Sequence, residues 1–305
     1  MKTFLYIALL GFACACSTTK AITAPPEVTT AETPVVIKKD SVPIEIAPII
    51  TVTEDTTTVN AQAEEMITES EEVEVEVEVE VEVEVFNTAI TETVNHDSFN
   101  DLLKAYVSPA GNVDYNGFKS NWGKLRNYIK LLGEQTPTDA WSQEEKLAYW
   151  MNAYNAMTID LILRHYPLES IKDIKNPWDQ RFWKLEDSWY NLNQIEHDIL
   201  RKMGDARIHF GINCASFSCP PLLNEAFTAA SVDDQLDKLA RKFINDSSRN
   251  TITAERVEVS KIFSWFAKDF KTEGSLIDYL NTYASTPISP SAKVRYKAYD
   301  WTLNK

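Results

Sequence analysis

The residues able to do covalent chemistry gather between positions 150 and 220. Cys214 and Cys219 lie in the run Asn213-Cys-Ala-Ser-Phe-Ser-Cys-Pro-Pro221, with His209 five residues before the first thiol. The stretch Ile195-Glu-His-Asp198 supplies Glu196 and His197, and Tyr149-Trp-Met-Asn-Ala-Tyr-Asn155 supplies Asn152 and Asn155. A thiol facing an imidazole can act as a nucleophile. The imidazole lowers the thiol pKa, and backbone N–H groups nearby can hold an oxyanion. On this reading Cys214 attacks an amide or ester carbonyl, His197 is the base, and Glu196, Asn152 or Asn155 gives polar support. The activity would be that of a hydrolase or acyl transferase.

Two other uses of the same residues stay open. Cys214 and Cys219 could form a disulfide or a pair of buried thiols, since a four-residue gap closes if the loop turns. His209, Cys214 and Cys219, with His197, are ligand types that suit zinc. Neither a Cys-x-x-Cys nor a His-Glu-x-x-His spacing occurs, so no metal is assigned. No motif for an organic cofactor is apparent, and none is assigned.

These side chains need elements to hold them. Ser142-Gln-Glu-Glu145 is a capping box, and it opens a long helix running to about His165, before Pro167. That helix is apolar nearly all round, which places it in the middle of the fold. Asn152 and Asn155 are three apart and share one of its faces. A buried amide without partners costs about 1–3 kcal/mol. The two amides therefore either tie neighbouring loop backbone to the helix or line a polar pocket. His165, in the last turn, suits a capping role. Leu192 to Met203 reads as a helix and Arg207–Asn213 as a strand. Alternation along such a strand puts His209, Gly211 and Asn213 on one face and Phe210, Ile212 and Cys214 on the other, so His209 cannot easily reach Cys214.

The remaining elements fill out one domain over residues 98–305. Helices are expected over Phe99–Val107 (capped by Ser98), Phe118–Leu132, Val232–Ile244, Ile262–Phe270 and Ser275–Tyr283. Gly111–Tyr115 reads as a short strand, Thr251–Thr253 and Arg256–Val259 as a hairpin, and Lys293–Trp301 as a final strand. Helices outnumber strands without a regular βαβ order, so the class is α+β: a predominantly helical domain with a small sheet. Residues 168–192 read as irregular and Trp-rich. A binding role competes with catalysis here. Trp178, Arg181 and Trp183, together with His209, Asn213 and Ser216, are candidate binding residues for a cell-envelope glycan or partner protein. Arg181 either binds an anion or sugar or stacks on tryptophan, and the stack is preferred.

Charge separates this domain from what precedes it. Residues 1–98 hold four basic and 19 acidic residues, a net charge of −15. Residues 99–305 hold 26 of each, and all eight Trp. The acidity therefore belongs outside the domain, and no basic footprint for nucleic acid exists. Met1-Lys2, the apolar run Phe4 to Ala13, and Ala13-Cys-Ala-Cys-Ser17 have the order of a secretory signal. A cysteine after a small residue at the end of that run resembles a bacterial lipoprotein signal. Cys16, after Ala15, is the expected lipidation site, with 1–16 as the signal. Residues 17–97, rich in Thr, Pro and Glu and strictly alternating Val and Glu from Val73 to Val85, are expected to be a disordered acidic spacer. The expected location is the cell envelope, periplasm-facing or outer, with the lipid as membrane contact. Oligomeric state is not readable.

Four pieces together resemble the uncharacterised bacterial and plant domain-of-unknown-function family 547: Tyr149–Asn155; Ile195-Glu196-His197 with Ile199-Leu200-Arg201; Ile208-His209-Phe210 through Asn213-Cys214-Ala215-Ser216 to Cys219-Pro220-Pro221-Leu222; and Tyr299-Asp300-Trp301 with Leu303-Asn304. The likeness covers about residues 98–305. The family usually has Asp-Pro-Arg before the Ile-His-Phe stretch, where this chain has Asp205-Ala206-Arg207. Similar plant members tend to keep the counterparts of His197 and Cys214 and to carry Ser in place of Cys219. The resemblance therefore implies that Cys214 and His197 are the better pair.

Overall fold

In the computed structural model, residues 93–305 are described. The expected signal, Cys16 and the acidic segment up to residue 92 lie outside the described residues.

The fold is α+β and is built around one helix. Ser142 Oγ accepts the Glu145 N–H at 3.1 Å, and Glu145 returns a carboxylate oxygen to the Ser142 N–H at 2.6 Å, closing the capping box. Helix α4 (Gln143–His165) follows, and every residue from Leu147 to Leu163 is buried. The apolar surface all round this helix is thus covered on every side. At its end the His165 ring nitrogen Nδ1 meets the Leu161 carbonyl at 3.0 Å, the capping role expected. Asp160 is the one acid buried in mid-helix. Its carboxylate is satisfied by the indole N–H groups of Trp122 (2.6 Å) and Trp183 (2.8 Å) and by Arg164 (2.7 Å). Such pairing is what permits a buried charge.

Helices α2 (Tyr115–Ser120) and α3 (Trp122–Glu134) pack against α4, and α1 (Asp97–Tyr106) packs on α2 and α3. The single helix expected over Phe118–Leu132 is broken at Asn121, whose side chain turns to the Tyr106 hydroxyl. The strand expected near Gly111 is only an isolated bridge between Val107 and Val113. In the Trp-rich segment, expected as irregular, β1 (Trp183–Leu185) and β2 (Ser188–Tyr190) form an antiparallel hairpin.

Helix α6 (Val232–Ile244) has the bounds expected of it. A three-stranded sheet stands beyond it. Strand β3 (Thr251–Ile252) is antiparallel to β4 (Arg256–Val259), and β5 (Lys293–Tyr296) runs parallel to β4. Between these strands lie α7 (Ile262–Trp265), a short 3-10 turn over Asp269–Lys271, and α8 (Leu276–Tyr283), which opens on a second capping box at Ser275 and Asp278. Ile262–Phe270, expected as one helix, is thus divided. After β5 the chain crosses back over the middle of the molecule. Residues 300–304 pair with two separate loops, through bridges Ser170↔Thr302 and Ser216↔Leu303.

Among the described residues, no helix is long and apolar enough to cross a membrane.

Candidate functional site

The strand expected over Arg207–Asn213 does not exist. Its place is taken by a single helical turn, α5 (Ile208–Gly211), buried throughout. The cause lies in α4. Asn155 donates its amide N–H to the Gly211 carbonyl at 2.9 Å and accepts the Asn213 N–H at 2.9 Å. One side chain thus supplies the backbone bonds that a neighbouring strand would have supplied. One turn up the same face, Asn152 donates to the Phe227 carbonyl (2.8 Å) and accepts the Phe227 N–H (3.0 Å). Both amides are spent on loop backbone, and neither lines a pocket.

Beyond Asn213 the chain makes the turn that carries the thiols. Asn213 Oδ1 accepts the Ala215 N–H at 2.8 Å, and its amide N–H donates to the Pro220 carbonyl at 2.8 Å. Asn304 donates to the same Oδ1 at 3.1 Å and is itself held by the Tyr115 hydroxyl at 2.7 Å. Ala215 sits at φ 57°, a left-handed conformation that costs a non-glycine residue about 1–2 kcal/mol. The asparagine network keeps it there, and Cys214 is the residue immediately before the kink. Gly111 supports the far end of this loop. Its φ is +87°, and a Cβ there would lie 2.4 Å from Pro221 Cβ.

Cys214 and Cys219 are both free thiols; Cys214 is half-buried and Cys219 buried. Cys214 Sγ lies 3.1 Å from Ser216 Oγ and 3.2 Å from the Tyr299 hydroxyl, and those two hydroxyls are 2.8 Å apart. Cys219 Sγ accepts the Cys214 N–H at 3.1 Å. The Cys219 sulfhydryl and the two hydroxyls together hold the Cys214 thiol below its ordinary range, against the opposing pull of burial. Burial, then the neighbouring Cys214, push the Cys219 thiol well above it.

Cys214 faces a largely apolar cleft of about 170 Å³. Its polar walls are Glu196, His197 and His209; its aromatic walls are Trp178, Trp265, Phe266, Tyr299 and Trp301. Glu196 and His197 come from a distorted segment. The single helix expected from Leu192 to Met203 is instead a π-helical turn over Gln194–Ile199 followed by a 3-10 turn over Leu200–Met203. Wide turns of this kind are frequent at functional sites. This one turns Glu196 inward, where it accepts the Tyr154 hydroxyl at 3.0 Å, and leaves His197 exposed at the rim. Burial is the main cause of the raised Glu196 pKa, offset in part by His197 and by the Tyr154 hydrogen bond.

His209 is 4 % exposed, so its ring is a wall of the cleft rather than a mobile arm. Its Nε2 meets Asp269 at 2.8 Å, and the ring stacks on Phe266 at 3.8 Å between centroids. Arg201 grips the same carboxylate twice, at 2.6 and 2.8 Å. Burial lowers the His209 pKa despite Asp269. The separation argued from strand alternation has lost its basis, since His209 and Cys214 line one cleft. Neither His209 nor His197 is hydrogen-bonded to Cys214; His197 lies 3.2 Å from Arg201. Among the described residues, no group of three or more His, Cys, Asp or Glu is placed to hold a metal ion.

The remaining candidates separate. Ser216 is fully buried and touches Cys214. Asn213 is buried and holds the loop. Trp178 reaches the cleft mouth, where it meets Trp301 edge-on at 5.8 Å. Trp183 does not belong to a binding surface: it is 2 % exposed, with its indole N–H bonded to Asp160. Arg181 neither stacks on tryptophan nor enters the cleft. It donates to the Trp189 carbonyl and to Gln194, both at 2.6 Å. Reading the residues alone missed Tyr154, Trp265, Phe266, Asp269 and the role of Tyr299. The Tyr299-Asp-Trp301 motif was the available signal, because its distance from Cys214 in sequence hides its contact in space.

No curated protein and no solved structure matches the chain. A family model described as "Protein of unknown function, DUF547" matches residues 138–244, a span that includes α4, Glu196, His197 and both thiols but not Tyr299. Residues 138–244 thus carry the sequence pattern of the DUF547 family.

Proposed function

We propose that the domain is a thiol-dependent hydrolase or acyl transferase acting on amide or ester bonds, with Cys214 as its nucleophile. The observation that carries this reading is the pair of hydroxyls, Ser216 and Tyr299, set 3.1 and 3.2 Å from a sulfur that faces an apolar cleft. Hydrogen-bond donors aimed at sulfur favour the thiolate, and the thiolate is the reactive form. In this scheme Cys214 sulfur attacks the acyl carbon and the thiol proton passes to His197. The amine or alcohol departs with a proton from Glu196, which burial keeps protonated to higher pH. Water or a second nucleophile then takes the acyl group from sulfur, giving its proton to Glu196, and His197 returns the thiol proton to Cys214. Asn152 and Asn155 are positioning residues.

The expected export signal and Cys16 support a lipid-anchored cell-envelope location, with membrane contact through the lipid. A mass shift on the N-terminal peptide that Cys16→Ser abolishes tests this. A second reading has its own observation. Trp178, Trp265, Tyr299 and Trp301 form a continuous aromatic cluster at the cleft mouth, with Trp265 45 % exposed, which suits a non-catalytic module that binds an envelope glycan or protein.

The deciding experiment treats the full chain with an activated ester, p-nitrophenyl acetate, and maps acylation by peptide mass spectrometry. The expected result is an acetyl adduct on Cys214, lost in Cys214→Ala and formed more slowly in His197→Gln. Equal acylation of the chain with and without Cys214 overturns the enzyme reading.

A further inference from the structure

The site holds a second thiol that takes no covalent part in acyl transfer. Cys219 lies at the other end of the Cys214 loop, buried to 6 % exposure. Its sulfur sits on the Cys214 backbone N–H at 3.1 Å, and the Ser216 carbonyl accepts the Cys219 N–H at 3.1 Å, folding the loop back on itself. Cys214 Sγ is only three bonds from the nitrogen that Cys219 Sγ touches. Both sulfurs therefore lie beside one backbone nitrogen, and the Cys219 sulfhydryl reaches the Cys214 sulfur. Both thiols line the cleft, and Cys214, half-buried, is more open to a reagent than the buried Cys219.

We propose that Cys214 and Cys219 form a dithiol–disulfide couple that reduces low-molecular-weight disulfides by thiol–disulfide exchange. Cys214 thiolate attacks one sulfur of the small disulfide, forming a mixed disulfide and releasing the first thiolate. That thiolate takes the Cys219 proton. Cys219 sulfur then attacks Cys214 sulfur, and the second thiolate leaves and takes up the proton that Cys214 gave to solvent. Two protein thiols become one disulfide, and one small disulfide becomes two thiols, with two electrons transferred. The order follows from position: the half-buried, more acidic thiol attacks and the buried one resolves. The proposal rests on the thiol pair and stands apart from the acyl chemistry, although oxidation would remove the nucleophile which that chemistry needs.

The test uses the full chain, reduced, freed of reductant and exposed to glutathione disulfide. Samples are quenched with an alkylating reagent and the peptide holding both cysteines is weighed. The wild-type chain should yield that peptide two hydrogens lighter and unalkylated, with two glutathiones released per chain. Cys219→Ser should trap a glutathione adduct on Cys214, and Cys214→Ser should leave Cys219 unmodified. A wild-type chain that stops at the Cys214 adduct, or in which both thiols stay alkylatable, overturns the proposal. Acetylation of Cys214 by the ester probe is scored separately on the reduced chain, so the two ideas fail independently.

Discussion

Removing the hydroxyls that face Cys214 should make its thiol less acidic, by an amount the geometry sets. Ser216 Oγ and the Tyr299 hydroxyl stand 3.1 and 3.2 Å from Sγ, and each can donate to a thiolate. A hydrogen bond to a charged group contributes about 1.5–3 kcal/mol. The diffuse charge of sulfur puts these at the low end, and about 1.4 kcal/mol corresponds to one pKa unit. Tyr299→Phe removes one donor without altering the ring. The hydroxyls also bond each other at 2.8 Å, so Ser216 is freed to turn fully toward sulfur, and the two losses are not additive. The expected rise is about 1 unit for Tyr299→Phe and about 1–2 units for the double variant with Ser216→Ala. The assay is the rate of iodoacetamide alkylation of Cys214, followed peptide by peptide across pH. Below the thiol pKa, a rise of one unit slows labelling about tenfold at fixed pH. A double variant whose labelling profile overlays that of the parent chain would refute the reasoning, because the hydroxyls would then contribute nothing to thiol acidity.

Three further outcomes follow from the same contacts. Asn155→Ala leaves the Gly211 carbonyl and the Asn213 N–H buried without partners, at about 1–3 kcal/mol each, so denaturant titration should show a loss on the order of 2–5 kcal/mol; a loss below about 1 kcal/mol would mean that water replaces the amide. Gly111→Ala meets both a left-handed backbone and Pro221, whereas Gly204→Ala meets φ +82° with open space around it. The first should lower Tm on the order of 5–10 °C and the second only by the conformational part, and equal drops would show that the Pro221 contact does not matter. Burial lowers the His96 pKa from 6.5 to about 4, opposed by Asp97, so the folded state favours the neutral ring, bonded to the Tyr128 hydroxyl at 2.8 Å. Its contribution is complete above the unfolded pKa and is lost as pH falls from about 6.5 toward 4. The Tm gap between the parent chain and His96→Gln should therefore shrink across that window, and a constant gap would refute it.

Elements whose signals are local were legible in the sequence. The capping box at Ser142 and the proline after His165 delimit α4, the spacing from Val232 to Ile244 gives α6 its bounds, and the β3–β4 hairpin follows its turn. The errors share a cause. Arg207–Asn213 has strand alternation, yet its backbone is claimed by Asn155 from a helix 56 residues earlier, and that competition has no local trace. The broken Phe118–Leu132 helix likewise answers to Tyr106. Cys214, Glu196, His197 and His209 were legible as reactive residues and share a cleft. Trp183 was not separable from Trp178 by composition, because an Asp160 acceptor decides which indole is buried. Tyr299 reaches Cys214 across 85 residues of sequence, a contact that no window of periodicity contains.

That long reach also sets an order of events during folding. The helical core around α4 draws on contacts close in sequence, which form early. The thiol environment needs residues 299–304 laid across the Cys214 loop, one of the most distant closures in the domain. A chain whose core has condensed but whose 299–304 segment is still undocked holds Cys214 without the Tyr299 hydroxyl and without the Thr302 carbonyl that receives the Phe217 N–H at 2.6 Å. During that interval the thiol has one hydrogen-bond donor fewer to favour its thiolate. If Cys214 is the nucleophile proposed above, the hydroxyl that favours its thiolate arrives only with this closure, so topology delays the chemistry until the segment docks.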